Sequence, residues 1–130
     1  MTARANTSKR LAVRLLIATR LGAGLVAFVA PKAVLSVLHK GIDETSDIPT
    51  RLLGARELGF GALLALAKDR TRRGVLGVGI AVDLADAYIG ATAPRGEESP
   101  VTHRVIVAAG VAAALLGVVA LLPAKSRPDA

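Results

Sequence analysis

The sequence predicts an all-α integral membrane protein: a four-helix transmembrane bundle with a short interfacial helix between spans 1 and 2. Three observations lead there. Apolar residues make up 52% of the 130, and the mean hydropathy is +0.51, high for a domain that must cover itself with charge. Aromatic side chains are nearly absent, with only Phe28, Phe60 and Tyr88, while glycine occurs 13 times. Water-soluble cores draw much of their burial from large rings, whereas membrane helices pack through small residues that let backbones approach. Finally, four apolar stretches of roughly membrane-spanning length follow one another at 11–30, 51–67, 74–93 and 101–122. The length fits one membrane domain over residues 1–130.

The first ten residues are polar and basic, with Arg4, Lys9 and Arg10. Followed by an apolar run they have the layout of a signal peptide. However, Arg14 and Arg20 interrupt the run, and Pro31-Lys32 is a poor cleavage site. Residues 11–30 are therefore read as a span, about 30 Å long at helical rise. Arg14 can snorkel to the near surface. Arg20 lies near mid-depth and must face other helices, and Gly22 and Gly24 would let a neighbour come close.

Pro31 breaks or kinks the helix. Residues 33–38 are too short to cross and are expected to lie on the surface, flanked by Lys32, His39 and Lys40, with Gly41 as a stop. Asp43, Glu44, Ser46 and Asp47 form a polar loop, and Asp47 ahead of Pro49 is predicted to cap the next helix.

The second span, 51–67, is at the short end of the range and carries Arg56-Glu57 inside it. A basic turn at 68–73 leads to the third span, which contains Asp83 and Asp86. After Pro94 and a polar loop, Ser99-Pro100 suits a helix opening. The fourth span is uncharged from Val105 to Leu122, and Pro123 ends it.

The net charge is +7, and its cations sit mainly at the ends of apolar stretches rather than on one helical face. That argues against nucleic acid as a partner and for the lipid bilayer. The N-terminal segment, the 68–73 turn and the C-terminal tail are basic, whereas the 32–50 and 94–100 loops hold most of the loop acids. The positive-inside tendency then places both termini in the cytoplasm, in the cell (inner or plasma) membrane. Without cysteine, disulfides and thiolate metal sites are excluded.

The chemistry-bearing residues are Arg20, Arg56, Glu57, Asp83 and Asp86. Asp83 and Asp86, three apart, share a helix face. Counted from the cytoplasmic end, Asp83 lies about 13 Å deep, Arg20 about 15 Å and Asp86 about 18 Å. Arg56 and Glu57 enter from the outer side and lie about 8–9 Å below it. Arg20 is thus level with Asp83, and Arg56 with Asp86, giving a nearly neutral interhelical network. Such pairs can fix helix register and rotation, or they can form a proton or ion relay or a polar substrate site.

Other constellations point nowhere. Gly22-Ala-Gly24-Leu-Val-Ala27 matches a dinucleotide fingerprint but lacks the strand such a motif needs, so no cofactor is expected. His39 and His103 have no partners at metal-ligand spacing, and His103 beside Arg104 is expected to meet headgroups. The acids at 43–47 lack the order of a calcium loop. Ser36, Ser46 and Ser99 have no nearby His base, so no catalytic residue and no enzyme activity are expected. Gly77, Ala81 and Ala85, and likewise Gly110 and Ala114, form small-residue seams that suit packing within the chain or a homo-oligomer.

Three segments carry a resemblance: Arg20-Leu-Gly-Ala-Gly24 ahead of Pro31, Gly54-Ala-Arg-Glu-Leu-Gly59, and the third helix with Asp83 and Asp86. Together they resemble small four-helix bacterial integral membrane proteins of the actinobacterial type, a family of unknown function. In that family the second helix carries Gly-x-Arg-Glu/Asp-Leu followed by glycine. The resemblance runs from Arg20 to about Leu122 and implies an integral membrane protein, with no activity or catalytic residues to transfer. More distant DoxX-like four-helix proteins share the architecture. The expected function is a structural or accessory membrane component. The alternative is a proton- or ion-coupled transporter or channel using Asp83, Asp86 and Glu57.

Overall fold

The computed structural model describes residues 2–38, 44–92 and 100–122. Among them are five helices and no strand: α1 (Thr2–Val29), α2 (Pro31–Val37), α3 (Glu44–Leu66), α4 (Asp69–Thr92) and α5 (Pro100–Leu121). His39, Gly41, Asp43, Pro94, Ser99 and Pro123, invoked above as caps, stops or ligands, lie outside the described residues.

α1 begins before the apolar run, so the basic N-terminal segment extends the first helix rather than preceding it. No glycine or proline occurs before Gly22 to stop it. It ends at Val29 because Pro31 disfavours helical geometry at the residue before it, and Ala30 sits at φ −127°, ψ 59°. Pro31 is then the first residue of α2, where its missing N–H is harmless.

Two sequence expectations need correction. α3 starts at Glu44, so residues 44–47 are helical rather than a loop, Asp47 is not its N-cap, and Pro49 lies inside the helix. Acids that suggest a loop suit the positive end of a helix equally well. The connection between α3 and α4 is also shorter than the 68–73 turn. Only Ala67 and Lys68 are non-helical. Asp69 allows this by taking a left-handed φ of 45°, which Asp tolerates better than most residues. Arg72 Nε donates to the Ala67 carbonyl at 2.9 Å, satisfying an acceptor just past the C-terminal end of α3.

Three helices are long and apolar enough to cross a membrane: α1 from Thr7, α4, and α5 from Thr102. α3 is not among them, since Arg51, Arg56 and Glu57 interrupt its apolar stretch.

α1 packs along α3 and α4 along α5. α1 also meets α5, whereas α3 touches α4 only briefly, and α1 reaches α4 through side chains alone, without close backbone approach. The tightest crossing is made by Gly24 and Gly54. A Cβ on Gly54 would lie 2.5 Å from the Phe28 nitrogen and 2.7 Å from the Gly24 oxygen. On the other pair, a Cβ on Gly110 would come within 2.6 Å of the Asp83 carbonyl oxygen.

Gly22, by contrast, has nothing within 4 Å of its Cβ position and makes no close approach. Gly77, Ala81 and Ala85 are exposed, so they are not a seam within the chain. The buried face of α4 is Leu76, Gly79, Asp83, Ala87 and Gly90. Both faces hold small residues, and the inner one is the face that carries Asp83. Gly22→Ala and Gly77→Ala should therefore leave the fold intact and gain up to about 1 kcal/mol from helix propensity. Thermal unfolding in detergent checks this, and a large loss at either site would contradict the packing.

Many large apolar side chains are exposed, while two charged ones are enclosed in a mostly apolar interior. Leu16, Leu64 and Leu76 form a small buried cluster, while Leu25, Leu52, Leu63, Leu66, Ile89 and Leu115 are all more than half exposed. Arg20 and Asp83, at 7% and 5% exposure, are inside. Charged side chains are almost never that buried unless paired.

Candidate functional site: an ion-pair cluster joining three helices

The five charged residues are brought together into one chain of contacts. Arg20, on α1, donates from Nη1 to Glu57 Oε2 at 2.7 Å and from Nη2 to Asp83 Oδ2 at 2.6 Å. Arg56, on α3, donates from Nη2 to Asp86 Oδ2 at 2.6 Å and from Nη1 to Asp86 Oδ1 at 3.3 Å. Its Nη2 and Nε also reach Glu57 Oε1, at 3.1 and 3.3 Å. The order is thus Asp83–Arg20–Glu57–Arg56–Asp86, alternating in sign throughout.

Local helix geometry explains the order. Arg56 and Glu57 are neighbours in sequence, so their side chains diverge by about 100° around the helix. Glu57 can therefore face α1 while Arg56 faces α4. The three-residue spacing of Asp83 and Asp86 sets both on one face of α4, each opposite a different arginine. Charge-assisted, forked contacts of this kind fix geometry as well as energy. α5 adds no charge, but the bare Gly110 lets it lie against the Asp83 carbonyl.

Burial falls along the chain. Arg20 and Asp83 are enclosed, Glu57 is mostly so, and the Arg56–Asp86 pair is about one-third exposed. The Arg20 guanidinium also lies over the Phe60 ring, 5.3 Å from its centre, a favourable cation–π arrangement. Gly79, one turn before Asp83, leaves room for the guanidinium: a Cβ there would meet Arg20 Nη2 at 3.4 Å. A cavity of about 10 Å³ beside Arg20, Phe60, Gly79 and Asp83 is close to the minimum for one water.

Sequence reasoning paired Arg20 with Asp83 and Arg56 with Asp86, and it missed the Arg20–Glu57 bond and the Phe60 stack. A signal was present: Glu57 and Phe60 are three apart and share a face. The remaining sequence candidates stand apart. Ser36 donates to the Ala33 carbonyl of its own helix, and His103 is half-buried on α5. Among the described residues, no group of three His, Cys, Asp or Glu side chains could hold a metal ion.

Compared with known proteins, the chain matches no family model and has no significant match among curated proteins or solved structures. The fold and the cluster themselves define the class: an all-α chain with three helices able to cross a membrane, compatible with a multi-pass membrane protein.

Proposed function

We propose that this is a small integral membrane protein without enzymatic chemistry, a structural or accessory component whose polar cluster locks four spans together. The spans are α1, α3, α4 and α5, with α2 at the outer surface and both termini cytoplasmic in the cell membrane. The observation that carries the reading is that the alternating cluster crosses the seam between the α1–α3 and α4–α5 pairs, where α3 and α4 pack only briefly. α3 joins the spans despite its charges because they have partners. Arg56 and Glu57 belong to the cluster, and Arg51 donates to the Phe28 carbonyl at 2.8 Å. The many exposed leucines supply the lipid-facing surface. The resemblance to small four-helix actinobacterial-type membrane proteins agrees with this reading.

Sidedness is tested by single cysteines at Thr7, Thr71 and Glu97 in intact cells. The first two should be protected from an impermeant thiol reagent and the third labelled. Labelling of Thr71→Cys from outside would reverse or abolish the topology.

One feature favours the second reading, a proton- or ion-coupled transporter or channel. The cluster holds three carboxylates against two guanidiniums, leaving one negative charge without a cation inside it. A proton or a small cation on Asp83, Asp86 or Glu57 would balance it. Against a continuous relay, the cavity beside Arg20 and Asp83 has room for about one water. In proteoliposomes, Asp83→Asn, Asp86→Asn and Glu57→Gln should abolish any proton or cation flux while the protein stays folded. If none of the three alters flux, the transport reading fails and the structural one stands.

A further inference from the structure

A second polar feature lies at the far end of the same helices, away from the cluster. A cavity of about 580 Å³ opens among the N-terminal ends of α1 and α4 and the C-terminal end of α5. That volume lies within the range of ligand-binding pockets. Its rim carries Lys9, Arg10 and Arg14 from α1 and Arg72 and Arg73 from α4, five cations against the single carboxylate of Asp69. Among the described residues, no ion pair joins Lys9, Arg10, Arg14 or Arg73 to a carboxylate. Arg72 is anchored through Nε to the Ala67 carbonyl, which leaves its two Nη groups as donors.

The floor is different in kind. Val13, Ile17, Leu76 and Ala120 are apolar, and Ile17 and Leu76 lie further along α1 and α4 than the cations do. Like charges gathered around a cavity repel one another unless an anion joins them. An inorganic anion would need only the rim. A basic rim above an apolar floor, at the shared end of three helices able to span a bilayer, fits an amphiphile with an anionic head.

We propose that this cavity binds the phosphate of an anionic phospholipid, with Lys9, Arg10, Arg14, Arg72 and Arg73 holding the head and Ile17 and Leu76 meeting the start of an acyl chain. The site rests on the membrane reading and adds a ligand class to it. Basic pockets between spans on the cytoplasmic side are suited to such headgroups, each cation adding favourable binding energy. Arg supplies the forked donors that a phosphate diester accepts. The pocket also lies between α1 and α4, whose backbones do not approach closely, so a bound headgroup would add a link between them at that end.

The test is thermal unfolding of the full chain in a neutral detergent with added phosphatidylglycerol, phosphatidylcholine or inorganic phosphate. Phosphatidylglycerol should raise the midpoint and phosphatidylcholine should not, since only a ligand of the native state stabilises it. Arg14→Gln/Arg73→Gln should weaken the phosphatidylglycerol effect, with an affinity loss on the order of tenfold to thirtyfold. Lys32→Gln/Arg104→Gln, which removes the same charge away from the cavity, should leave it unchanged. Equal protection by both lipids, or equal loss in both variants, overturns the site. Protection by inorganic phosphate as strong as by phosphatidylglycerol overturns the lipid as its ligand. Failure of the membrane reading shows separately, as a chain that stays folded and monomeric in buffer without detergent.

Discussion

Arg20→Leu should be the most damaging single change in the protein. It removes both ion pairs of the buried end, leaving Asp83 without a cation and Glu57 with only its Arg56 contacts. Deleting one partner of a buried pair typically costs about 3–5 kcal/mol, because the orphaned charge stays desolvated. The leucine fits the apolar surroundings of Leu16 and Leu64, so the loss reports the stranded carboxylates rather than poor packing. Adding Glu57→Gln and Asp83→Asn to Arg20→Leu removes those stranded charges and should recover much of the stability. Arg20→Lys keeps the charge but lacks the fork that reaches two carboxylates at once, and should fall between wild type and Arg20→Leu. Unfolding in mixed detergent micelles measures all three. If the triple variant loses the simple sum of its single losses, the residues do not act as one network.

The cluster's membership was readable because burying charge among apolar residues is costly. Every ionisable side chain near the middle of an apolar helix needs a partner at its own depth, and helical rise fixes that depth. Arg20 and Asp83 come out level from residue counting alone and lie 2.6 Å apart. Side-chain direction was less accessible. The small-residue stripe Gly77, Ala81 and Ala85 and the inner face with Gly79 and Ala87 look alike in sequence, and Asp83 selects between them only if its inward orientation is used as the reference. Helix boundaries failed where two signals compete. Acids at 44–47 fit both a loop and a helix start, and Asp69 reverses the chain through a left-handed backbone that no local pattern announces. The basic cavity was not readable at all, since it needs the ends of three helices to be placed side by side.

Gly54→Ala should be the second most damaging change, although it adds one methyl group. The new Cβ would sit 2.5 Å from the Phe28 nitrogen and 2.7 Å from the Gly24 oxygen, both backbone atoms that no rotamer change can move. α1 and α3 must separate, and overpacking of this kind costs about 1–3 kcal/mol. The damage should spread to the cluster. Gly24 is four residues from Arg20 and Gly54 is three from Glu57, so the glycine contact and the ion pair lie on the same facing surfaces, one turn apart. The glycine crossing thus sets the distance at which Arg20 reaches Glu57, 2.7 Å. If so, Gly54→Ala already weakens that bond, and combining it with Glu57→Gln should cost less than the two losses added. Gly59→Ala, in the same helix with nothing within 4 Å of its Cβ position, is the control and should be neutral or mildly stabilising. Equal stability for Gly54→Ala and Gly59→Ala would mean that α1 and α3 do not meet at these glycines, and the geometry that brings Arg20 to Glu57 would have to come from elsewhere.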